Sequence, residues 1–217
     1  MVDELKNKYS FGEETRTYQK GRPQYELALK LLEDFKTSGS VLDLGCGQGE
    51  FSDTLHDLNF QVKCADGTPK LVEQVKQRGY ETYLVDFEDE YLPFDDNEFE
   101  LVVSLDVIEH LWNTDHYLKE ICRVLKPNGH IIITTLNYNS WNYRKKHLFG
   151  NFEDFTYQSR HKKFFTYKSF REETQKYFDV KSSVGLIYFP VQTGLKFTSK
   201  FQNFLSVNIG ILGKSRK

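Results

Sequence analysis

The sequence predicts an α/β fold, a doubly wound and mostly parallel sheet with helices on both faces. Three observations predict it. An apolar run, Val41-Leu-Asp-Leu44, enters alternate glycines at 45, 47 and 49 and then a helix-like segment. Two further runs, Phe60–Asp66 and Glu81–Asp86, follow at strand–helix–strand spacing, and each ends in a carboxylate. The alternation then repeats: a polar turn and a buried strand within Leu92–Leu111, an amphipathic helix with apolar residues at 118, 121, 122 and 125, a Lys126-Pro-Asn-Gly129 stop, and a β-branched strand.

Each element has a local reason. Pro23 precedes an apolar-periodic stretch that reads as a helix from Gln24 to Phe35, and Thr68-Pro69 opens another after the second strand. Ser159–Val180 reads as a last helix and a sixth strand, and Leu205–Lys217 as a final strand. Tyr188–Phe204 is apolar and basic with a break at Pro190, as in an interfacial helix, a dimer contact or a segment closing the sheet end. With 217 residues and 39% apolar content, the chain suffices for one substantial core, so a single domain over 1–217 is expected. No run approaches the roughly 18 apolar residues of a membrane span, and the first residues lack a signal-peptide core, so a cytoplasmic location is expected. Cys46, Cys64 and Cys122 fall in the turn, a strand and a helix, which suits small buried residues rather than a disulfide framework or zinc knot.

The glycine turn carries the chemistry. Gly45, Gly47 and Gly49 let the backbone bend sharply and approach a ligand closely. The spacing is G-x-G-x-G, whereas pyrophosphate-binding turns more often show G-x-G-x-x-G, and Asp43 ahead of it would sit poorly beside phosphate. A cationic, phosphate-free cofactor suits the turn better. Asp66, at the end of the second strand, is placed to grip a ribose diol or to cap the next helix. Asp86-Phe87 is either a base-binding pair or a strand-end carboxylate beside a core aromatic.

Asp43-Leu-Gly-Cys-Gly-Gln-Gly49 resembles motif I of the class I S-adenosylmethionine (SAM)-dependent methyltransferases, and Leu92–Leu111 with Leu118–Thr135 resembles the later blocks of that family. The resemblance covers roughly residues 38 to 136. It implies a Rossmann-like, seven-stranded sheet with an antiparallel last strand, binding SAM, with S-adenosylhomocysteine (SAH) as product, across the carboxyl ends of strands one to three. The implied cofactor residues are Asp43, Gly45, Cys46, Gly47 and Gly49 at the turn, Asp66 and Gly67 at the ribose, Asp86 and Phe87 at the adenine, and Leu105. A segment over residues 1–36, with Tyr9, Tyr18 and Arg22, is expected to close over the cofactor, Arg22 meeting its carboxylate or remaining an ordinary exposed arginine.

Charge divides the chain. Residues 1–141 hold 14 Lys/Arg against 26 Asp/Glu, and 142–217 hold 15 against 5, a net of −12 and then +10. The basic part follows the last shared strand, where this family places substrate segments, so an anionic or sugar-containing small-molecule acceptor is expected, beside the plain alternative of a solvated basic surface. Residues 137–165, with Trp141, Tyr143 and Arg-Lys-Lys146, read as a substrate-covering insertion or an aromatic lid packed on the core. Nucleic acid is the minority reading, because no recognised module appears and the cofactor half is acidic.

Methyl transfer to a hydroxyl needs a group to take the proton. Asp106-Val-Ile-Glu-His110 and the later Arg160-His161 resemble a pairing found in ubiquinone O-methyltransferases and small-RNA 3′-end methyltransferases, where the corresponding positions hold a divalent metal. Here Asp106 stands where those families have Glu, and the surroundings of His161 lack their fuller histidine cluster. The expectation is therefore His110, His161 and Glu109 acting on the acceptor, with metal at Asp106, Glu109, His110 and His161 as a minority reading. A SAM-binding protein without chemistry is the alternative from another class.

Overall fold

The computed structural model describes residues 22–33, 35, 39–150, 161–187, 196–198 and 205–217. In chain order these form α1 (Pro23–Leu32), β1 (Ser40–Leu44), α2 (Glu50–Asp57), β2 (Gln61–Asp66), α3 (Pro69–Gln77), β3 (Glu81–Leu84) and β4 (Phe99–Leu105). After a single 3-10 turn, Ile108–His110, come α4 (Thr114–Val124), β5 (Leu125–Leu136), α5 (Trp141–Leu148), α6 (Tyr167–Gln175), β6 (Phe178–Ile187), β7 (Lys196–Thr198) and β8 (Asn208–Ser215).

The strands lie in one sheet in the order β3-β2-β1-β4-β5-β8-β6-β7. The first five pair in parallel, and β8 inserts antiparallel between β5 and β6. This is the expected seven-stranded mixed sheet, extended at one edge by the three-residue β7. The chain runs outward from β1 to β3 and then restarts beside β1 with β4, so a crevice opens at the carboxyl ends of β1 and β4, the place where open α/β sheets bind ligands.

The central strands are apolar on both faces because helices cover both. Leu101–Val103 and Ile131–Ile133 are fully buried, and two clusters flank them, one under α4 and α6 with Tyr117, Ile121 and Phe170, the other under α1 and α2 with Leu31, Phe51 and Leu55. Gly210 and Gly213 make room on β8: a Cβ on Gly210 would stand 3.0 Å from Leu31 of α1, and one on Gly213 would stand 2.9 Å from Phe178.

Helix starts follow their caps. Pro23 and Pro69 occupy first-turn positions, Asn113 accepts from the His116 N–H at 3.2 Å, and Thr166 with Ser169 forms a reciprocal capping box. The Lys126–Gly129 stop lies inside β5: the helix ends at Val124, and the β4 ladder shifts register between Phe99 and Leu101 as the chain turns through Asn128 at φ 65°. Of the expected N-terminal cap, Tyr9 and Tyr18 lie outside the described residues, as does most of Tyr188–Phe204. Among the described residues, no helix is long and apolar enough to cross a membrane.

Candidate active site

The turn after β1 is built from left-handed glycines. Gly45, Gly47 and Gly49 have φ of 84°, 56° and 79°, a region that costs a side-chain-bearing residue about 1–2 kcal/mol. A Cβ on Gly45 would stand 2.3 Å from Val107 Cγ2, whereas one on Gly47 would meet nothing within 4 Å. Gly45 is thus small because protein packs against it, and Gly47 opens onto the crevice. The Gly45 and Cys46 N–H groups donate to the Ala65 carbonyl at 2.8 and 3.2 Å, pinning the turn to the end of β2.

Asp66 joins two loops. One carboxylate oxygen accepts from Gly47 N–H at 2.9 Å and the other from Thr68 N–H at 2.8 Å. Asp66 therefore fixes Gly47 and the start of α3 together. Asp43 is buried beneath the turn and accepts from Ser52 Oγ at 2.6 Å. Burial pushes its pKa up to about 7, the Ser52 bond opposing this and the charge of Asp66 adding to it. Two neighbouring buried carboxylates under a turn favour a cation above it, so the cradle fits a ligand carrying ammonium and sulfonium groups. Cys46 and Cys64 pack together with Val75; contact with Cys64, then burial, pushes the Cys46 thiol up, consistent with a packing role.

Beside the turn lies a cavity of about 430 Å³ lined by Gly67, Leu84, Asp86, Phe87, Leu111 and Lys162, among others. Asp86 is exposed at its rim, with one oxygen accepting from Glu88 N–H at 2.9 Å, while Phe87 is 8% exposed and reaches inward to Tyr117. Leu105 ends β4 half-buried against the α1 side of the core. Arg22 stands near the turn but is paired: its Nη1 lies 3.0 Å from Glu50 Oε2, just after Gly49, and donates to Tyr25 Oη at 3.2 Å.

The opposite wall begins where β4 ends. Asp106 takes a left-handed conformation, φ 55°, and folds back on β5, its Oδ1 accepting from Thr134 Oγ1 at 2.7 Å. Burial raises its pKa to about 6, with the Thr134 bond opposing. The turn that follows presents Glu109 and His110. Residues 161–163 lie across it, because Lys162 and Lys163 donate their N–H groups to the Glu109 carbonyl at 2.8 and 3.0 Å. The His110 and His161 rings are 4.8 Å apart, and one ligating atom each of Glu109, His110 and His161 lie within 4.8 Å of one another. Glu109 is 1% exposed, and its carboxylate sits beside the Thr135 hydroxyl and the Leu136 backbone without a well-formed hydrogen bond to either. Its pKa is raised well above the usual carboxylate range by burial and then by Asp106. Three of the four expected metal-site residues thus converge, while Asp106 is committed to Thr134.

Two residues singled out by no motif complete the site. Lys162 lines the cavity and pairs with Glu88 at 2.6 Å; the same Glu88 carboxylate accepts the Trp112 and Asn113 N–H groups. Tyr138, just after β5, bonds His161 Nδ1 at 2.6 Å. The basic Lys162-Lys163 pair beside His161 was a visible signal for the first; for Tyr138 the sequence offered only its place among the aromatics after the fifth strand.

Residues 42–133 match the family model described as a methyltransferase domain. The chain is 32% identical over 101 residues, 46% of its own length and 37% of the other's, to a protein named as a probable SAM-dependent methyltransferase of Mycobacterium tuberculosis. It is 30% identical over 102 residues, 45% and 43% of the two lengths, to a ubiquinone biosynthesis O-methyltransferase of Xanthomonas oryzae. The chain therefore spans less than half the length of these two relatives. A SAM-dependent methyltransferase of Thermotoga maritima, described as a possible histamine N-methyltransferase, superposes with a TM-score of 0.71 at 18% identity over 90% of this chain and 91% of that one, which shows the fold. Residues 42–133 thus match a methyltransferase domain, and the proteins this chain resembles in sequence are named as methyltransferases, among them SAM-dependent ones.

Proposed function

We propose that this protein transfers the methyl group of SAM to a hydroxyl of a small-molecule acceptor, sugar-containing or anionic, with His110 and His161 acting on the acceptor side. The carrying observation is the convergence of His110 and His161 over buried Glu109, on residues adjoining Leu111 and Lys162 of the cofactor-side cavity. Bound SAM supplies an electrophilic methyl on a sulfonium, already a good leaving arrangement, so the protein's work is placement and proton removal.

In this reading the glycine turn and Asp66 hold the cofactor, and the Asp86–Phe87 edge receives its adenine. His161 or His110 takes the acceptor's proton as the new bond to oxygen forms. Glu109, whose carboxyl is raised above the usual carboxylate range by burial and then by Asp106, lies buried beside both imidazoles. Lys162 and Lys163 add positive charge for an anionic acceptor. Relatives named as O-methyltransferases, among them a malonyl-[acyl-carrier protein] O-methyltransferase of Buchnera aphidicola at 28% identity over 144 residues, support oxygen as the receiving atom.

The test follows SAH release from SAM over a panel of phenols, uronic acids and other sugar acids. His110→Ala and His161→Ala should each lower turnover at least a hundredfold while SAH affinity stays within about threefold. Full turnover in both variants would refute the roles.

The convergence of buried Glu109 with two imidazoles favours a second reading, in which Glu109, His110 and His161 hold a divalent ion that lowers the acceptor hydroxyl's pKa. The donor set, one carboxylate and two imidazoles, fits such an ion. Stoichiometric zinc or manganese binding that is lost in Glu109→Gln would select this version.

A further inference from the structure

We infer that Tyr138 is the positioning residue for His161: its hydroxyl holds Nδ1, selects the imidazole tautomer and directs the chemistry to Nε2. The pairing of Tyr138 with Nδ1 rests on geometry; the choice of Nδ1–H as the donor, and its catalytic meaning, rest on the proposed acceptor-side role of His161. The 2.6 Å contact between Tyr138 Oη and His161 Nδ1 is short for such a pair, and both partners are anchored independently.

Tyr138 grows from a fixed root. Asn137, fully buried at the end of β5, donates its N–H to the Val207 carbonyl at 2.7 Å and its side-chain amide to the Ser206 carbonyl at 2.8 Å. The Tyr138 N–H donates to the Phe165 carbonyl at 2.9 Å, tying it to the segment that carries His161. Its ring is 8% exposed, stacked on Tyr143 at 4.6 Å and met edge-on by Phe164 at 4.7 Å. His161 is held from the other side by the Lys162 and Lys163 N–H bonds to the Glu109 carbonyl. The imidazole is thus clamped between a phenol on Nδ1 and the Glu109–His110 turn.

The consequence concerns protons. A neutral imidazole has one N–H and one acceptor nitrogen, and the partner of one nitrogen decides the state of the other. With Nδ1–H donating to the Tyr138 oxygen, Nε2 keeps its lone pair and can take the acceptor's proton, giving an imidazolium whose Nδ1–H remains bonded to Tyr138. The reverse arrangement, Tyr138 O–H donating to Nδ1, would place the proton on Nε2 and leave no base. Holding one imidazole nitrogen to orient the other also serves a metal-bound histidine, so the assignment does not depend on which version of the proposed function holds.

The test needs no acceptor. Protein labelled with 15N-histidine and saturated with SAH is read by long-range proton–nitrogen spectra, with the His161 signals assigned by their loss in His161→Gln. Wild type should show His161 predominantly with its proton on Nδ1. Tyr138→Phe should shift that population toward the Nε2–H form with the melting temperature nearly unchanged, and Tyr143→Phe, which removes a neighbouring hydroxyl but not the bond, should leave it as in wild type. An Nε2–H tautomer in wild type would overturn the assignment even if Tyr138→Phe did not fold, and so would an unchanged tautomer in Tyr138→Phe. Full turnover in His161→Gln would instead refute the proposed catalytic role and leave the Tyr138 assignment standing.

Discussion

The two walls of the crevice are made differently. The wall we assign to the cofactor is mostly main chain: left-handed glycines, N–H groups on Asp66 and Ala65, and strands paired in parallel register, all within residues 41–87. The wall we assign to the acceptor is mostly side chain, drawn from the turn after β4, Tyr138 two residues after β5 and the strap at 161–163. Main-chain geometry admits few residue types, so it leaves a spacing that can be read. Side-chain geometry across tertiary contacts admits many solutions, which is also how one fold can serve many acceptors.

The sharpest way to break the comparison is to put a side chain where the cofactor wall has none. Gly45→Val combines a left-handed backbone with a Cβ that would stand 2.3 Å from Val107 Cγ2. It should cost about 2–4 kcal/mol of stability and weaken SAH binding by at least roughly a hundredfold. Gly47→Ala meets no protein atom, so it should cost only the strain of a left-handed alanine, about 1–2 kcal/mol of stability, while weakening SAH roughly tenfold. Calorimetry on the pair separates packing from ligand approach; wild-type SAH affinity in Gly47→Ala would mean that no ligand lies over that residue.

Asp66→Ala removes the acceptor for two backbone donors, Gly47 and Thr68. Loss of about 1–3 kcal/mol of stability and some tenfold to a hundredfold of SAH affinity is expected. Asp66→Asn retains one acceptor and should fall between. If both variants bind SAH normally, Asp66 serves loop structure alone.

The pH dependence of stability probes the carboxylate below the turn. Asp43 has its folded pKa raised to about 7 from an ordinary value of 3.8, so the folded state holds its proton more tightly than the unfolded one. Its contribution is complete below about pH 4 and is lost as pH rises through the interval up to about 7, by no more than roughly 4 kcal/mol. Thermal melts of ligand-free protein should therefore fall between about pH 4 and 7, and Asp43→Asn should flatten that slope. An identical slope in the variant would assign the effect to other groups.

The sequence disclosed the turn after β1 because glycine and carboxylate positions there follow from backbone needs. Asp66 and the turn lie where the spacing placed them, and the seven-stranded order follows from the strand and helix succession. Asp106 shows where the reading ran out. Its place three residues before Glu109 suggested a shared site, but the strand stops at Leu105, the backbone turns left-handed, and Thr134 of the next strand captures the carboxylate. That partner lies on another strand and leaves no mark in local spacing. The pairing of Tyr138 with His161 escaped notice for the same reason, since it is a contact between distant segments.

Arg22 offers the smallest effect and the finest distinction between the walls. The sequence suggested that it meets the cofactor carboxylate, and the structure sets it on Glu50, the residue after the last glycine of the turn, with its guanidinium 5.4 Å from the Tyr25 ring centre. A half-exposed ion pair of this kind contributes within about 1 kcal/mol, so Arg22→Ala should change SAH affinity less than about threefold if the pairing persists in the complex. A loss of tenfold or more would show that the guanidinium leaves Glu50 for the ligand. Glu50→Gln separates the cases: it removes the competing anion, so it should tighten SAH binding if Arg22 transfers to the ligand and leave binding unchanged if Arg22 only braces the start of α2. The tightening result would make Arg22 a side-chain contact on a wall otherwise built from main chain, and so move the boundary between the readable and unreadable parts of the site.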